Sequence, residues 1–216
     1  MWRDYFNRKA AHYAGAIASS DYFSARSFLD QRRSVLDWVG PCEGRRILDA
    51  GCGVGAFSEP LVERNRVFGV DFSEVALGYA RRRGLQATCA DLARLPFPRG
   101  SFDLVLCIGV LQLIEDDRAV LAELTAMLAL GGTLVVQTLN RESLQRKILT
   151  PLLREKSVFR LFRCAELRDE MLAVGLGDVD FLHAYYPLPT TTISATPGLL
   201  ARSLSTSFAV RGRRLA

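Results

Sequence analysis

The chain of 216 residues carries 28 Lys plus Arg against 23 Asp plus Glu, a formal charge of +5, with 49% hydrophobic and 24% charged residues. These values lie near globular averages and exclude a wholly disordered, collagenous or coiled-coil chain, and the length suits one domain, 1–216, with a well-buried core. All of the excess charge falls in the last third: residues 1–140 balance at 16 basic and 16 acidic side chains, whereas residues 141–216 carry 12 against 7.

In chain order, residues 1–40 read as an N-terminal helical cover, with an aromatic opening from Tyr5 and Phe6 to Tyr13 and a helix predicted over 25–39. Next come a strand at 45–51, a helix at 56–64, a strand at 66–71, a helix at 73–83, and strands at 86–91 and 102–109. The clearest helix is 117–129: Val120, Leu121, Leu124 and Leu128 recur on one face, acids occupy its start, and Gly131 and Gly132 are expected to stop it. A strand at 132–139 leads into 141–163, an apolar and basic insert interrupted by Pro151 that is expected to act as a lid over the strand ends. A helix at 164–174, a strand at 179–186, a Pro- and Thr-rich connection at 187–200 and a strand at 206–212 complete the chain. Strands alternating with helices predict an α/β fold with a doubly wound, seven-stranded and mostly parallel sheet, in which 45–140 is the ligand-binding core and 164–216 the C-terminal part of the sheet.

Five cysteines, Cys42, Cys52, Cys89, Cys107 and Cys164, form no CxxC pair, which points to a reducing compartment. His12 and His183 are the two histidines, and no Cys/His cluster has metal-ligand spacing, so no metal site is expected. No apolar run approaches the roughly 20 residues of a membrane-spanning helix and the N-terminus lacks the apolar core of a signal peptide, so a cytoplasmic location is expected. The Arg-rich last third is compatible with peripheral contact to an anionic membrane, but Arg accounts for 25 of the 28 basic residues, a skew that genome composition also produces.

Chemistry concentrates where three successive strands end. Ile47-Leu48-Asp49-Ala50-Gly51-Cys52-Gly53-Val54-Gly55-Ala56 joins a strand to the following segment through glycines that admit positive φ and let a ligand approach the backbone. Gly51, Gly53 and Ala56 satisfy the dinucleotide fingerprint, which alone does not separate a nicotinamide or flavin enzyme from other nucleoside binders. A carboxylate at Asp49 would face a pyrophosphate unfavourably but suits a ligand bearing ammonium and sulfonium charges. Asp71 ends the next strand, 20 residues after Gly51, where a carboxylate accepts hydrogen bonds from ribose hydroxyls. Asp91, at the third strand end, can accept from an exocyclic adenine amine, with Leu92 and Phe72 able to sandwich the ring.

The segments LDAGCGVG (48–55), GVDFSEVALGYAR (69–81), ADLARLPFPRGSFDLVLC (90–107), GVLQLIED (109–116) and LALGGTLVVQTLN (128–140) together resemble the class I S-adenosylmethionine-dependent methyltransferases of the small-molecule (type 11-like) group. The resemblance implies a Rossmann-like sheet of seven strands whose last strand is antiparallel, and S-adenosyl-L-methionine as cofactor. It implies that the Gly51 to Gly55 loop approaches the methionine part, Asp71 binds ribose, and Asp91 and Leu92 meet the adenine; Asp49, Ala50, Cys52, Gly53 and Phe72 belong to the same expected cofactor-binding set. Cys107 and Ile108 would supply backbone near the methionine moiety, and Tyr13 would fold over the cofactor from the opening segment.

Many members of that family carry His residues just after the fourth strand; here the positions read Gln112 and Leu113, which removes the usual base and leaves the catalytic residue unassigned. His183, beside Tyr185 and Tyr186, and His12 are the remaining candidates. The 141–163 insert and the 187–200 connection are expected to wall an apolar acceptor pocket with a basic rim. The expected acceptor is therefore a lipophilic or anionic small molecule: polyketide-like, quinone-like, sugar or lipid-linked. Methylation of RNA or protein is the alternative encouraged by the basic last third, although nucleic acid is disfavoured because aromatic residues do not interleave the final Arg cluster and no nucleic-acid module is appended. A non-catalytic cofactor-binding module and a nicotinamide-dependent reductase are the alternatives of other classes.

Overall fold

The computed structural model describes residues 2–13, 15, 25–144, 147, 159–185, 193–194, 203 and 205–215. In chain order these form α1 (Trp2–His12), α2 (Ala25–Val39), β1 (Arg46–Ala50), β2 (Arg66–Asp71), α3 (Glu74–Arg82), β3 (Gln86–Cys89), β4 (Phe102–Ile108), α4 (Asp117–Met127), β5 (Leu128–Leu139), α5 (Cys164–Ala173), β6 (Leu176–Tyr185), β7 (Ile193–Ser194) and β8 (Ser205–Arg214). The strands make one sheet in the order β3-β2-β1-β4-β5-β8-β6-β7. β1 to β5 are mutually parallel, and β8 runs antiparallel between β5 and β6 with Val136 paired to Val210 and Phe181 to Val210. The antiparallel last strand is thus as expected; the two-residue β7, antiparallel to β6, is an eighth strand that the seven-strand reading did not contain.

Both faces of the central strands are covered, which is why Ile47, Leu48 and Ala50 on β1 and Leu104 to Cys107 on β4 are buried without alternation. On one face Leu48, Val105, Val136 and Phe208 pack with Leu121 and Leu124 of α4 and Leu167 and Met171 of α5. On the other, Ile47, Leu106, Val135 and Ala209 pack with Phe28 and Val35 of α2 and Leu77 and Ala80 of α3. α1 lies against α3: Ser73, which caps α3 by accepting the Ala76 N–H, donates its hydroxyl to Asn7 Oδ1 at 2.6 Å.

Three element boundaries depart from the expectation. The helix expected at 56–64 is a series of turns with a single 3-10 turn at Glu59–Leu61. Pro60 supplies no N–H there, Ser58 spends its hydroxyl on Asp49 instead of capping, and the Asn65 side-chain amide donates to Leu61 O at 2.9 Å and ends the segment. The second departure is at the end of α4, which stops at Met127, while β5 begins already at Leu128. Gly131 and Gly132 sit inside an irregularity of β5, where a Cβ on Gly132 would stand 3.0 Å from Phe102 O; the last carbonyls of α4 are met instead by the Arg214 guanidinium, which donates to Ala126 O and Leu128 O. The third is β6, which starts earlier than expected and carries a bulge at Gly177–Asp180 with Asp178 at φ 50°.

The sheet order reverses between β1 and β4, so the chain leaving β1 and the chain leaving β4 pass to opposite faces and open a crevice at their C-terminal ends. Phe208, fully buried in mid-sheet on the strand that joins β5 to β6, tests how much the antiparallel insertion contributes. Phe208→Ala is expected to lower unfolding free energy by about 3–5 kcal/mol in urea denaturation.

Candidate functional site

The crevice is floored by Gly51 to Gly55. Gly51, Gly53 and Gly55 all have positive φ, at 78°, 51° and 78°. A Cβ on Gly51 would stand 2.3 Å from Val110 Cγ2, so the loops leaving β1 and β4 touch across the switch point only because that side chain is missing. A Cβ on Gly53 would meet nothing within 4 Å, which leaves the outward side of the loop open to a ligand.

Hydrogen bonds hold the loop from β2. The N–H groups of Gly51 and Cys52 donate to Val70 O at 2.7 and 2.9 Å. The Gly53 N–H donates to Asp71 Oδ2 and the Ser73 N–H to Asp71 Oδ1, both at 2.9 Å. Asp71 therefore sets the loop conformation while its carboxylate remains at the crevice. Asp49 is 2% exposed and accepts the Ser58 hydroxyl on Oδ2 at 2.6 Å. Burial pushes its carboxyl up to about 7; the Ser58 bond opposes the shift and the neighbouring Asp71 adds to it. Burial likewise raises Asp71, against its three backbone N–H bonds, and drives the Cys52 thiol well above its ordinary value and Cys107 up to about 12. Neither thiol is a nucleophile at neutral pH.

Two arginines that no sequence motif singles out hold the outer half of the loop. Arg32 on α2 donates to Ala56 O at 2.6 Å, and Arg83 after α3 donates to Val54 O at 3.1 Å and to Gly15 O at 3.0 Å while pairing with Glu59 at 3.4 Å. Arg83 thereby links the loop to the N-terminal segment. Arg81 to Arg83 follow one another at the end of α3, and only three-dimensional reach distinguishes Arg83.

The other side of the crevice is polar and buried. Gln137, Thr138 and Asn140 at the end of β5, Ser205, Thr206 and Ser207 at the start of β8, and Gln31 of α2 are each 6% exposed or less. Asn140 Nδ2 donates to Ser205 O and Oγ at 2.8 Å. Gln112, in the turn after β4, accepts the Thr138 hydroxyl on Oε1 at 3.2 Å, and its backbone oxygen accepts the Arg160 N–H at 2.9 Å. Arg160 is anchored in turn by Asp117 at 2.6 Å and by Glu166 and Glu170. The runs QTLN and STS at strand ends were the available signal for this layer.

Of the sequence-predicted residues, Asp49, Ala50, Gly51, Cys52, Gly53 and Asp71 come together around the loop, with Cys52 Sγ packed so tightly on Gly69 that a Cβ there would be 2.8 Å away. Phe72 packs its half-buried ring against Phe6 of α1 at 5.9 Å, whereas Leu92 is buried in the cluster on the α4 face, so the two are held by different neighbours. Asp91 is exposed and accepts the Ala93 N–H at 2.9 Å, and the adjacent Ala90 N–H donates to Asp71 O. Cys107 is fully buried and Ile108 half-buried at the end of β4. His12 and Tyr13 lie at the exposed end of α1, ring against ring at 4.8 Å, and Tyr13 is 43% exposed. The His183 backbone on β6 pairs with Phe208 and Ser194; β6 is three strand spacings, about 14 Å, from β4. Of the expected lid, 145–146 and 148–158 lie outside the described residues, as do Tyr186 and most of 187–200. The two ends of this insert are joined: Arg141 N–H donates to Phe162 O at 2.8 Å and Phe162 N–H to Leu139 O at 3.0 Å. Among the described residues no helix is long and apolar enough to cross a membrane, and no group of three or more His, Cys, Asp or Glu side chains could hold a metal ion.

Residues 48–136 match the family described as a methyltransferase domain. A ubiquinone biosynthesis O-methyltransferase of Marinobacter nauticus is 34% identical over 125 residues, 53% of this chain and 50% of that protein. A demethylmenaquinone methyltransferase of Renibacterium salmoninarum is 36% identical over 108 residues, 49% of this chain and 46% of that protein. The chain thus spans about half the length of the curated relatives it matches. Among solved structures, a SAM-dependent methyltransferase from Thermotoga maritima superposes with a TM-score of 0.79 at 25% identity, covering 99% of this chain and 100% of that one. A magnesium protoporphyrin IX methyltransferase from Synechocystis, at 22% identity, TM-score 0.74 and coverage of 98% and 97%, shares the fold.

The raised Asp49 has a consequence for stability. Its folded pKa near 7 exceeds the unfolded value near 3.8, so between these the folded state holds the extra proton and stability falls as pH rises. Asp49→Asn is expected to flatten this decline and to be more stable than the parent at pH 8 by on the order of 3 kcal/mol, as read from urea unfolding at pH 5 and pH 8.

Proposed function

We propose, on the premise that residues 48–136 are a methyltransferase domain of the class I, S-adenosylmethionine-dependent kind, that this chain transfers a methyl group from S-adenosyl-L-methionine to a small-molecule acceptor of quinone-like or related lipophilic character. The observation that carries the reading is the junction at the switch point: an open glycine loop whose Gly53 N–H is held by Asp71, with a second buried carboxyl, Asp49, behind it. The residues suit the cofactor. The open side of Gly53 admits a ligand to the backbone, and two carboxyl groups with no guanidinium bonded to either among the described residues favour a cation over a pyrophosphate.

When bound, the cofactor supplies an activated methyl on a positively charged sulfur. The chain's own contribution is binding and alignment. Asp71 accepts from the ribose hydroxyls with an oxygen already oriented by the Gly53 and Ser73 N–H groups. Asp49 offers negative charge beneath the loop, and Cys107 and Ile108 bring the end of β4 to its opposite side. The buried polar layer of β5 and β8 then borders the acceptor, near the two ends of the 141–163 insert, which leaves and re-enters the sheet there and is suited to excluding water. The quinone-like acceptor is supported by the ubiquinone and demethylmenaquinone enzymes among the relatives.

Calorimetric titration with S-adenosyl-L-methionine is expected to show binding that Asp71→Ala weakens on the order of 100-fold, through loss of charge-assisted bonds and of the loop anchor; unchanged affinity would overturn the assignment. Incubation with labelled cofactor and cell extract is expected to place label in the small-molecule fraction. Label confined to RNA or protein would favour a macromolecular acceptor, and cofactor binding without labelled product would favour a non-catalytic module.

A further inference from the structure

Among the described residues, the polar layer holds a buried side-chain acceptor that the fold leaves unsatisfied, on Gln137. Gln137 is 3% exposed, and its Oε1 is buried with no hydrogen-bond partner among the described residues. A buried acceptor without a partner is a cost that a folded chain normally avoids, and such groups concentrate where a ligand completes the bond. Gln137 stands at the C-terminal end of β5, and its backbone oxygen accepts the Gly109 N–H at 3.0 Å.

Gly109 has φ 71°, and a Cβ built there would have as its nearest neighbours Gln137 Oε1 at 3.7 Å and Gln112 Nε2 at 3.9 Å. The two amides therefore border the same small space beside the end of β4. Gln112 Oε1 takes the Thr138 hydroxyl, and the Nε2 end of the same amide lies toward Gly109, facing the same space as Gln137 Oε1. One side of the space presents a donor and the other an acceptor.

We propose that Gln112 and Gln137 bind the reacting hydroxyl of the acceptor, so that the enzyme is an O-methyltransferase that aligns its nucleophile with a neutral amide pair; the proposal rests on the methyltransferase reading and narrows its substrate class. Gln112 Nε2–H donates to the hydroxyl oxygen, and the hydroxyl donates to Gln137 Oε1. Oxygen has two lone pairs, so one can accept from Gln112 while the other attacks. A neutral amine has a single lone pair, which the same bond would consume, and a carbon nucleophile matches neither amide. In the transfer the free oxygen lone pair forms the bond to the methyl carbon, the carbon–sulfur bond breaks with its pair going to sulfur, and the hydroxyl proton passes to water because an amide does not retain it. With Gln112 and Leu113 in the turn after β4, neither position supplies a titrating base for that proton.

The test begins with the protein, 13C-methyl-labelled S-adenosyl-L-methionine and a small-molecule extract, with the product's methyl assigned by NMR. An O-methyl product is expected. An N-methyl or C-methyl product overturns the proposal and leaves the transferase reading intact; no product from a protein that binds the cofactor removes that reading and the proposal with it. With the acceptor so identified, Gln137→Leu and Gln112→Leu are each expected to raise KM roughly tenfold or more, with a smaller change in kcat and unchanged cofactor affinity. Gln137→Leu should also raise Tm by about 2–4 °C, because it removes a buried acceptor that the free protein leaves unpaired. A lowered Tm with unchanged KM would identify Gln137 as a structural amide and overturn the proposal.

Discussion

Two carboxyl groups are kept out of water within one short stretch of chain, and the rest of the crevice is arranged around that cost. Asp49 and Asp71 are 2% and 8% exposed. An isolated buried carboxylate is expensive, and each here has local relief of a different kind: a single hydroxyl for Asp49, three backbone N–H groups for Asp71. The difference matters. Asp71 accepts from the donors that also shape the glycine loop, and these bonds oppose the upward shift that burial imposes, so its carboxyl and the loop conformation are one structure. Asp49 has less to hold its charge, and a cation nearby would favour its ionised form. Arg32 and Arg83 do not bond to either carboxyl; they take loop carbonyls and leave the negative charge to the ligand side.

That division of labour also explains how the N-terminal helices are joined to the site. α1 is fixed through Asn7 on Ser73, two residues beyond Asp71, and Gly15 is fixed by the same guanidinium that holds Val54. A displacement of the loop is therefore felt in the segment preceding α2. The connection runs through named bonds.

Much of this could be read from the chain. The α/β alternation, the three strand-end acids and the glycine loop follow from local composition because glycine, buried apolar runs and terminal carboxylates are each constrained by backbone geometry. The expected helix at 56–64 fails because apolar spacing there is helical while Pro60 and the Ser58–Asp49 bond are not signals that periodicity weighs. Gly131 and Gly132 read as a helix stop because a bulge and a C-cap use the same residue. Arg83 and the pairing of Thr138 with Gln112 lie beyond the reach of sequence, since each depends on two elements meeting that are far apart in the chain.

The clasp between Arg141 and Phe162 brings the ends of the 141–163 insert to one point of the sheet. A segment that begins and ends at one place is a cassette: its length and composition can drift without disturbing strand register, since doubling such a loop adds only about 0.6 kcal/mol of closure entropy. On the proposed reading, in which this insert borders the acceptor, substrate preference can evolve at a pace set by the cassette, while the glycine loop, locked by Val110 and Asp71, stays fixed. For an engineer the same clasp marks where foreign sequence could be grafted.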